Sequence, residues 1–359
     1  MNNLQHIVAQ FKIKGRLNLI TPIEMGHINL SYFVQNEGNA PNYFLQKINH
    51  SIFKDVDGLM RNIEAVTQHL KKKNVDGKVL ELIPTNTGEL YFGNHEAGYW
   101  RLYNYVTNSH SYNLVTEPAI AYEGGKAFGQ FITNLADFDA KKLTETIPDF
   151  HHLGKRLAKF YTTLERDPAN RVETVAAEIK FIADRTESMF RIPKLIEEGK
   201  LPLRVTHNDT KFNNVLFNSE NKAICVVDLD TVMPGSVLFD FGDAIRTGAN
   251  TAQEDEKDLS KVDINLPIFE AYASGFIHET KQILNDVELK NLAFSAQFMT
   301  YIIGLRFLTD YIDGDNYFHT AYTDHNLVRA RVQFKLIEAM EKHGETMNAI
   351  VINARQDDI

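Results

Sequence analysis

One loop restricts the possible folds of this chain more than any other feature: residues 207–214, which read His-Asn-Asp-Thr-Lys-Phe-Asn-Asn. Asp209 and Asn214 lie five positions apart, so a tight turn can return the amide to the side of the carboxylate. Residues 223–227 form a continuous apolar run, typical of a strand buried on both faces, and Asp228 ends it. Carboxylate and amide oxygens are ligands that Mg²⁺ accepts in proteins. The sequence therefore predicts that a metal site and a carboxylate base share this loop and strand.

The spacing His-x-Asp-x-Lys-x-x-Asn resembles the catalytic loop of eukaryotic-type kinases. By that resemblance Asp209 orients and deprotonates the acceptor hydroxyl, and Lys211 neutralises charge on the phosphoryl group being transferred. Asn214 and Asp228 would hold Mg²⁺. We expect His207 to brace the loop through hydrogen bonds and to transfer no proton. The alternative is that Asp and Asn cluster here only because they tolerate turn geometry, and three roles at matching offsets argue against it.

A competing metal ligand follows further along the chain. The tripeptide Asp-Phe-Gly, which begins at Asp240, has the sequence of the metal-binding tripeptide of protein kinases. It begins 26 residues after Asn214, whereas Asp228 lies 14 residues after Asn214 and directly follows the predicted strand. We therefore interpret Asp240 as structural, supporting the loop as an aspartate does in phosphotransferases of the aminoglycoside and choline kinase type. Asp230 stays open as a further metal ligand or as a residue behind the ligands.

Charge and cysteine content exclude several classes of function. The net charge of −9 gives nucleic acid no general electrostatic reason to bind, so we expect no nucleic-acid partner. Cys225 is the single cysteine, which makes an intrachain disulfide impossible, and its apolar strand predicts a buried thiol. The first residues lack a basic segment followed by an apolar stretch, and no run of about 18 apolar residues occurs. We expect a cytoplasmic monomer without membrane contact, although the sequence does not fix the oligomeric state.

Residues 1–106 are predicted to form a small lobe of antiparallel strands. Short apolar runs between residues 18 and 48 are broken by glycine and proline, which predicts a strand hairpin. Gly26 would lie in the turn over the ATP phosphates. The following strand should offer a cation to the α and β phosphates. Two registers are possible: Lys47 faces the phosphates, or Gln46 does and Lys47 points to the other face.

One helix and a last strand complete the expected nucleotide site. Apolar residues recur at helical spacing over residues 55–73, which predicts an amphipathic helix. Glu64 lies beside the apolar stripe, where it could pair with the strand cation as in kinases or remain a surface glutamate. Residues 99–106 read as a final strand that runs into a hinge. Backbone groups near Tyr103 and Tyr105 would then contact the edge of the adenine.

Residues 107–359 are predicted to form a larger, mostly helical lobe. The fold class that we predict is α+β, a two-lobed protein-kinase-like fold in which a small antiparallel sheet with one key helix faces this lobe. ATP would bind in the cleft between the lobes. Helical spacing of apolar residues recurs in the segments 117–138, 147–166, 174–191, 266–283, 287–311 and 324–347.

Longer motifs carry a more specific resemblance that extends over almost the whole chain. They include residues 202–211, Asp-Thr-Val-Met-Pro-Gly-Ser at 230–236, and Phe-Asp-Phe-Gly-Asp at 239–243. With these motifs the chain resembles the N-acetylhexosamine 1-kinases of the aminoglycoside phosphotransferase and choline kinase superfamily. The resemblance implies transfer of the γ phosphate of ATP, with Mg²⁺, to the C1 hydroxyl of N-acetylglucosamine or N-acetylgalactosamine. Because the catalytic loop is common to the superfamily, the motif at 230–236 carries the substrate inference.

The acceptor site is predicted near the end of a late helix. Arg306 and Tyr317 would bring together a planar polar group and an aromatic face, both of which suit a sugar. His27, in the phosphate turn, could reach either the sugar or the nucleotide. Three aspartates lie between Arg306 and Tyr317. They could belong to the sugar site, or the segment could be a solvated acidic turn after a core helix.

Two rival functions stay open. A choline, homoserine or aminoglycoside kinase would share the ATP machinery, and the acidic turn could hold its cationic substrate. Alternatively, a pseudokinase could bind nucleotide and regulate a partner. Asp209, Asn214 and Asp228 argue against the pseudokinase, because such a protein needs neither the base nor the metal ligands.

Overall fold

The structure, a computed structural model, describes residues 2–23, 28–73, 75 and 77–356. Gly26 and His27, which were predicted to lie in the phosphate turn, are outside the described residues. The first part of the chain forms an antiparallel sheet in the order β1-β2-β3-β6-β4, with β5 paired to β6. The strands are β1 (Leu17–Ile23), β2 (Leu30–Asn36), β3 (Tyr43–Ile48), β4 (Leu82–Ile83), β5 (Phe92–Asn94) and β6 (Gly98–Asn104).

Different parts of the chain cover the two faces of this sheet. Side chains alternate along a strand, so Leu45 of β3 points to the outer face, where it packs with Trp100 and with helix α1 (Asn2–Val8). Ile48 points to the inner face and belongs to the main core, together with helix α2 (Val56–Lys72). The inner face is therefore the one turned toward the rest of the molecule.

Two small sheets fix the ends of the predicted catalytic loop. Strand β7 (Arg204–Thr206) pairs antiparallel with β10 (Met233–Gly235), and β8 (Val215–Phe217) pairs antiparallel with β9 (Ala223–Val226). The loop begins where β7 ends and leads into β8. Asp228 follows β9 after one residue. The pairing of β7 with β10 and of β8 with β9 therefore brings Asp228 back toward the loop.

The rest of the chain is mostly helical. Helix α9 lies at its centre, and its 27 residues are mostly buried. Within the described residues α9 is the one helix long and apolar enough to cross a membrane, and 89% of its most apolar window is buried inside the protein. The helices are α3 (Pro118–Asn134), α4 (Leu153–Arg166), α5 (Ala176–Met189), α6 (Arg191–Glu197), α7 (Val237–Gly248), α8 (Leu266–Thr280), α9 (Asp286–Ile312), α10 (His325–Lys342) and α11 (Gly344–Gln356).

The predicted α+β architecture, an antiparallel sheet with one key helix and a helical second part, is confirmed. Two of the predicted helical segments are each divided between two helices. The segment 174–191 ends in α5 and continues as the separate helix α6, and the segment 324–347 is divided between α10 and α11. The second break falls at His343, directly before Gly344, and glycine favours helix ends over helix interiors. Helix α7, which carries Asp240, was not predicted, and the lobe boundary at residue 106 stays a prediction.

Candidate active site

Asp240 holds the loop at 207–214 from behind. Its fully buried carboxylate accepts hydrogen bonds from the backbone N–H groups of His207 at 2.8 Å and Asn208 at 2.7 Å. Its main-chain carbonyl oxygen accepts the hydroxyl of Thr210 at 2.5 Å. Burial raises the pKa of Asp240 to about 7, although the two N–H donors act in the opposite direction. These contacts are those of a loop support, the role that the sequence predicted for Asp240.

The Asp-Thr-Val-Met-Pro-Gly-Ser motif braces the same loop from another side. The Thr231 hydroxyl donates to the His207 carbonyl oxygen at 2.7 Å, and the Asn208 amide donates to the Thr231 carbonyl oxygen at 2.9 Å. Gly235 approaches so closely that a Cβ there would lie 2.3 Å from Thr206 Oγ1. Asn208 has a φ of 64°, a left-handed conformation that asparagine tolerates better than most residues. Thr231 and Gly235 of this motif thus hold the loop.

His207 lies beneath the loop and is fully buried. Its Nε2 lies 2.9 Å from the Val227 carbonyl oxygen, and its Nδ1 lies 3.3 Å from the backbone nitrogen of Asp209. Burial lowers the pKa of His207, so the ring is neutral. Nε2–H then donates to Val227, and Nδ1 accepts from Asp209. Both ring nitrogens are therefore used in bracing the loop.

The predicted base, its lysine and the amide form one cluster. Lys211 Nζ lies 2.9 Å from Asp209 Oδ1. The Asn214 amide nitrogen donates to the Asp209 carbonyl oxygen at 2.8 Å and to Asp209 Oδ2 at 3.1 Å. Burial raises the pKa of Asp209, but the charge and hydrogen bond of Lys211 outweigh it, and the pKa lies below its ordinary value. Asp209 is therefore an ionised carboxylate at neutral pH, and Asn214 retains Oδ1 for a further partner.

Asp228 lies beside this cluster, and its side chain is exposed. Nearby protein atoms displace water from around the Asp228 carboxyl, which raises its pKa, and the negative charges of Asp230 and Asp209 raise this pKa further. Among the residues that the structure describes, no donor contacts its carboxylate. A carboxylate that is crowded by like charges and lacks a donor fits a divalent cation. No group of three or more His, Cys, Asp and Glu side chains suited to a metal occurs in the described part of the chain, and Mg²⁺ requires only one or two carboxylates when phosphates and waters complete its shell.

Lys47, the predicted phosphate cation, lies on the outer face of the sheet. Its Nζ is 5.7 Å from the centre of the Trp100 ring, and Trp100 packs in the outer cluster. The expectation that Lys47 faces the phosphates is therefore wrong. Alternation along β3 gives the inner face to Gln46, which is paired with Arg101 of β6. Arg101, which the sequence analysis did not single out, is the cation on the inner face at this position.

The other residues predicted for the nucleotide site differ in their exposure and in their partners. Glu64 accepts a hydrogen bond from Gln68 at 3.1 Å on the surface of α2, so the expected pair with Lys47 is not formed. Tyr103 is buried, and the Arg101 guanidinium lies 5.3 Å from its ring centre. Tyr105 is 38% exposed, and its backbone N–H is already bonded within the first lobe. The predicted adenine contact near Tyr103 and Tyr105 stays a prediction.

Arg306 and Tyr317 lie together beside two further aromatic rings. The guanidinium carbon of Arg306 is 5.1 Å from the ring centre of Phe150, 5.6 Å from that of Tyr317 and 5.3 Å from that of Phe318. The Tyr317 hydroxyl is 3.4 Å from an Arg306 nitrogen. Within the part of the chain that the structure describes, no carboxylate forms an ion pair with Arg306. The aromatic rings thus hold the guanidinium group in place. Its N–H groups other than the one that faces Tyr317 remain available to a ligand.

The acidic turn before Tyr317 is an internally bonded structure. The Asp310 carboxylate is buried and accepts the backbone N–H groups of residues 316, 317 and 318 at 2.8 to 3.0 Å. Asp315 forms an ion pair with Arg171 at 2.6 Å. Asp313 is 3.9 Å from Lys159. The carboxylates that could have held a cationic acceptor are therefore engaged in holding the turn.

His151 connects the rings around Arg306 to the catalytic loop. It follows Phe150 directly, and its Nε2 lies 3.2 Å from the Asn208 carbonyl oxygen. Burial lowers the pKa of His151 to about 3, so the neutral ring donates from Nε2. Sequence reasoning missed this residue because a histidine at the start of a helix gives no distinctive signal.

A loop that brings an aspartate, a lysine and an asparagine into contact, beside an antiparallel sheet, is typical of phosphate-transferring enzymes with a kinase-like fold. A family model described as a phosphotransferase enzyme family matches residues 19–262, which include the sheet, the catalytic loop and Asp240. The chain belongs to this phosphotransferase family.

Solved structures with similar folds are small-molecule kinases. A microcompartment-associated aminopropanol kinase has a TM-score of 0.63 at 14% identity, covering 97% of this chain and 98% of that chain. A spectinomycin phosphotransferase, solved with ADP and spectinomycin, has a TM-score of 0.62 at 12% identity, covering 95% and 98%. An amicoumacin kinase, solved in complex with AMP-PNP, Ca²⁺ and Ami, has a TM-score of 0.62 at 12% identity, covering 95% and 93%. These likenesses confirm the protein-kinase-like fold.

Proposed function

We propose that the protein is an ATP-dependent sugar kinase that phosphorylates the C1 hydroxyl of N-acetylhexosamines. The family assignment supports the phosphotransferase reaction, and the acceptor is our inference. One observation carries the inference: on the side of the loop that we assign to the acceptor, Arg306 lies among aromatic rings, and no carboxylate among the described residues forms an ion pair with it.

The charges around Arg306 favour an uncharged acceptor rich in hydroxyl groups. Burial lowers the pKa of Arg156, and the positive charge of Arg306 lowers it further, to about 10. The two guanidinium groups are therefore near each other. Two neighbouring cations repel an ammonium group, and the carboxylates of the acidic turn are engaged elsewhere. An arginine presents N–H donors to hydroxyl and carbonyl oxygens, while aromatic rings suit the apolar face of a pyranose. An N-acetylhexosamine offers all of these features.

The chemistry of the loop supports general base catalysis. Asp209 is ionised and partly exposed, so it can accept the proton of an acceptor hydroxyl placed within hydrogen-bonding reach. Lys211, which pairs with Asp209, adds positive charge where the transferred phosphoryl group would pass. Asn214 Oδ1 and Asp228 would hold Mg²⁺, which would neutralise charge on the ATP phosphates. Because the transition state of phosphoryl transfer is loose, positioning and charge neutralisation supply most of the rate enhancement.

The acceptor is identified by an ADP-release assay with Mg²⁺ and ATP against N-acetylglucosamine, N-acetylgalactosamine, choline, ethanolamine, homoserine and an aminoglycoside. We expect turnover with the N-acetylhexosamines at a kcat/KM at least about tenfold above any cationic acceptor. A preference for an amino alcohol or an aminoglycoside would replace our acceptor assignment and leave the kinase assignment in place. Nucleotide binding without turnover on any acceptor would favour a pseudokinase.

The phosphorylated hydroxyl is identified from the product. Phosphorylation at C1 removes the reducing end, so the product should fail a reducing-sugar test, and its phosphorus should couple to the anomeric proton in NMR. It should also release phosphate in mild acid, because the departing group leaves a stabilised oxocarbenium ion. A product that still reduces and resists acid is a primary phosphate ester, which would contradict phosphorylation at C1.

A further inference from the structure

The inner face of the sheet lacks the lysine that kinases place on the strand equivalent to β3. Gln46 occupies the inner-face position, and Lys47 lies over Trp100 on the other face. In kinases that lysine also forms an ion pair with a glutamate of the neighbouring helix, and this pair holds the parts of the nucleotide site in place. The neighbouring strand β6 supplies a cation directly opposite Gln46, namely Arg101.

Arg101 is held rigidly from two sides. Its Nε and one terminal nitrogen donate to Gln46 Oε1 at 3.0 and 2.8 Å. Its other terminal nitrogen lies 2.5 Å from Asp230 Oδ1. The side chain is 1% exposed, and the guanidinium has five N–H groups in a fixed fork. Such a buried ion pair requires added hydrogen bonds to offset desolvation, and Gln46 provides them.

Asp230 connects Arg101 to the segment that precedes β2. Asp230 Oδ2 accepts a hydrogen bond from the Asn29 side chain at 2.7 Å. Asn29 in turn accepts the backbone N–H of residue 49 at 2.9 Å, and the Thr146 hydroxyl donates to the Asp230 carbonyl oxygen at 2.8 Å. Asp230 is thus bonded to the sheet, to the segment at 28–29 and to the helical part of the chain. It lies two residues from Asp228, the candidate metal ligand.

We propose that Arg101 is a positioning residue of the nucleotide site: it contacts no phosphate itself, and its ion pair from β6 holds the site together as the ion pair of the β3 lysine does in kinases. It acts through Asp230: the ion pair fixes Asp230, which fixes Asn29 on one side and the backbone leading to Asp228 on the other. Asp230 is then a structural link rather than a metal ligand. Loss of Arg101 leaves Asp230 as a buried charge without compensation, so both connections loosen. This inference rests on the proposed use of ATP.

The test moves the positive charge from β6 back to β3. Arg101→Gln should raise the KM for ATP about tenfold or more and leave the KM for the sugar within about twofold. The double variant Gln46→Lys with Arg101→Gln restores a cation on the inner face, and it should recover most of the lost affinity. Lys47→Gln is the matched control on the outer face and should leave both KM values unchanged. Thermal denaturation of each variant measures stability alongside.

Asn29→Ala is a second variant, and it leaves the ion pair between Arg101 and Asp230 in place, so no buried charge loses its partner. It removes the link to Asp230 from a partly exposed position, so it should keep the melting temperature within a few degrees and still raise the KM for ATP. If Asn29→Ala has no effect, or if Arg101→Gln lowers only the melting temperature, Arg101 has no role in nucleotide binding. A double variant that is no better than Arg101→Gln would also overturn the proposal.

Calorimetry with AMP-PNP and Mg²⁺ separates this inference from the acceptor assignment. The dissociation constant of AMP-PNP needs no acceptor, so it should rise in Arg101→Gln and fall again in the double variant even if no sugar is phosphorylated. Equal affinity of AMP-PNP for the unmodified chain and for a folded Arg101→Gln variant would contradict the role of Arg101 and leave the acceptor question untouched. An unmodified chain that binds no AMP-PNP would overturn both.

Discussion

Asp228 and Asp240 lie beside the same loop, and we predict that removing each of them has a different effect. Asp240→Ala leaves the backbone N–H groups of His207 and Asn208 buried without an acceptor. Each unsatisfied buried donor costs about 1–3 kcal/mol, so the free energy of unfolding should fall by about 2–6 kcal/mol. Asp228→Asn breaks no contact that the described residues form and removes a charge that Asp230 and Asp209 repel. The metal-free Asp228→Asn variant should therefore be at least as stable as the unmodified chain.

Two measurements on the same samples test this contrast. Thermal denaturation without metal should give a melting temperature several degrees lower for Asp240→Ala and an unchanged or higher one for Asp228→Asn. A Mg²⁺ titration of ADP release, below the melting temperature of every variant, should give an unchanged midpoint for Asp240→Ala. Asp228→Asn should raise the Mg²⁺ requirement or abolish activity.

The matched control is Asp240→Asn, which keeps one acceptor oxygen and should lose less stability than Asp240→Ala. If Asp240→Ala instead shifts the Mg²⁺ midpoint and Asp228→Asn leaves it unchanged, the two roles are reversed. If Asp228→Asn destabilises the metal-free protein by as much as Asp240→Ala does, its carboxylate has a partner and our account of its raised pKa is wrong.

Three further predictions concern the base, the acceptor and pH. Asp209→Asn should keep Mg²⁺-ATP binding by calorimetry and lose about two to four orders of magnitude in kcat, and turnover within about threefold would remove Asp209 from the mechanism. Arg306→Gln should lower kcat/KM for the sugar about ten- to a hundredfold, the value of a hydrogen bond to a charged donor, with the KM for ATP unchanged, whereas Tyr317→Phe should have a smaller effect. Because the folded protein raises the pKa of Asp228, its carboxyl reduces stability as the pH rises above about 4. Melting curves of Asp228→Asn and the unmodified chain, without metal, should therefore diverge toward neutral pH, and curves that stay parallel would contradict the raised pKa.

The loop and the helices could be predicted from the sequence because their geometry is encoded locally. The offsets between Asp209, Lys211 and Asn214 place all three within one turn, and the structure brings them into contact. Helical spacing in α2 and α9 likewise depends only on neighbours three and four residues away. The supporting role of Asp240 was also predicted from its position, and its carboxylate is bonded to the loop, whereas the metal role of Asp228 stays a prediction.

The face of Lys47 and the role of Arg101 could not be predicted in the same way. A shift of one residue in β3 exchanges the two faces of the sheet, and the short sequence around Gln46 fits both registers. The decisive partner of Gln46 lies 55 residues away on β6, and antiparallel pairing over that distance leaves no local signal. The acidic turn was ambiguous for a related reason, because the composition of a turn does not reveal that backbone N–H groups occupy the Asp310 carboxylate.

The positions of the loop-holding residues relative to the proposed acceptor site have a consequence for specificity. Asp240, Thr231 and Gly235 hold the catalytic loop, and none of them belongs to the ring-lined group around Arg306. These residues lie on the segment at 231–235 and on helix α7, whereas the side chains of the proposed acceptor site lie on α9 and on the segments at 150–151 and 317–318. Arg306 and Tyr317 can therefore change without removing a hydrogen bond that the described residues form with the loop, whereas His151 cannot. This separation makes Arg306, rather than the loop motif, the residue on which our acceptor proposal depends.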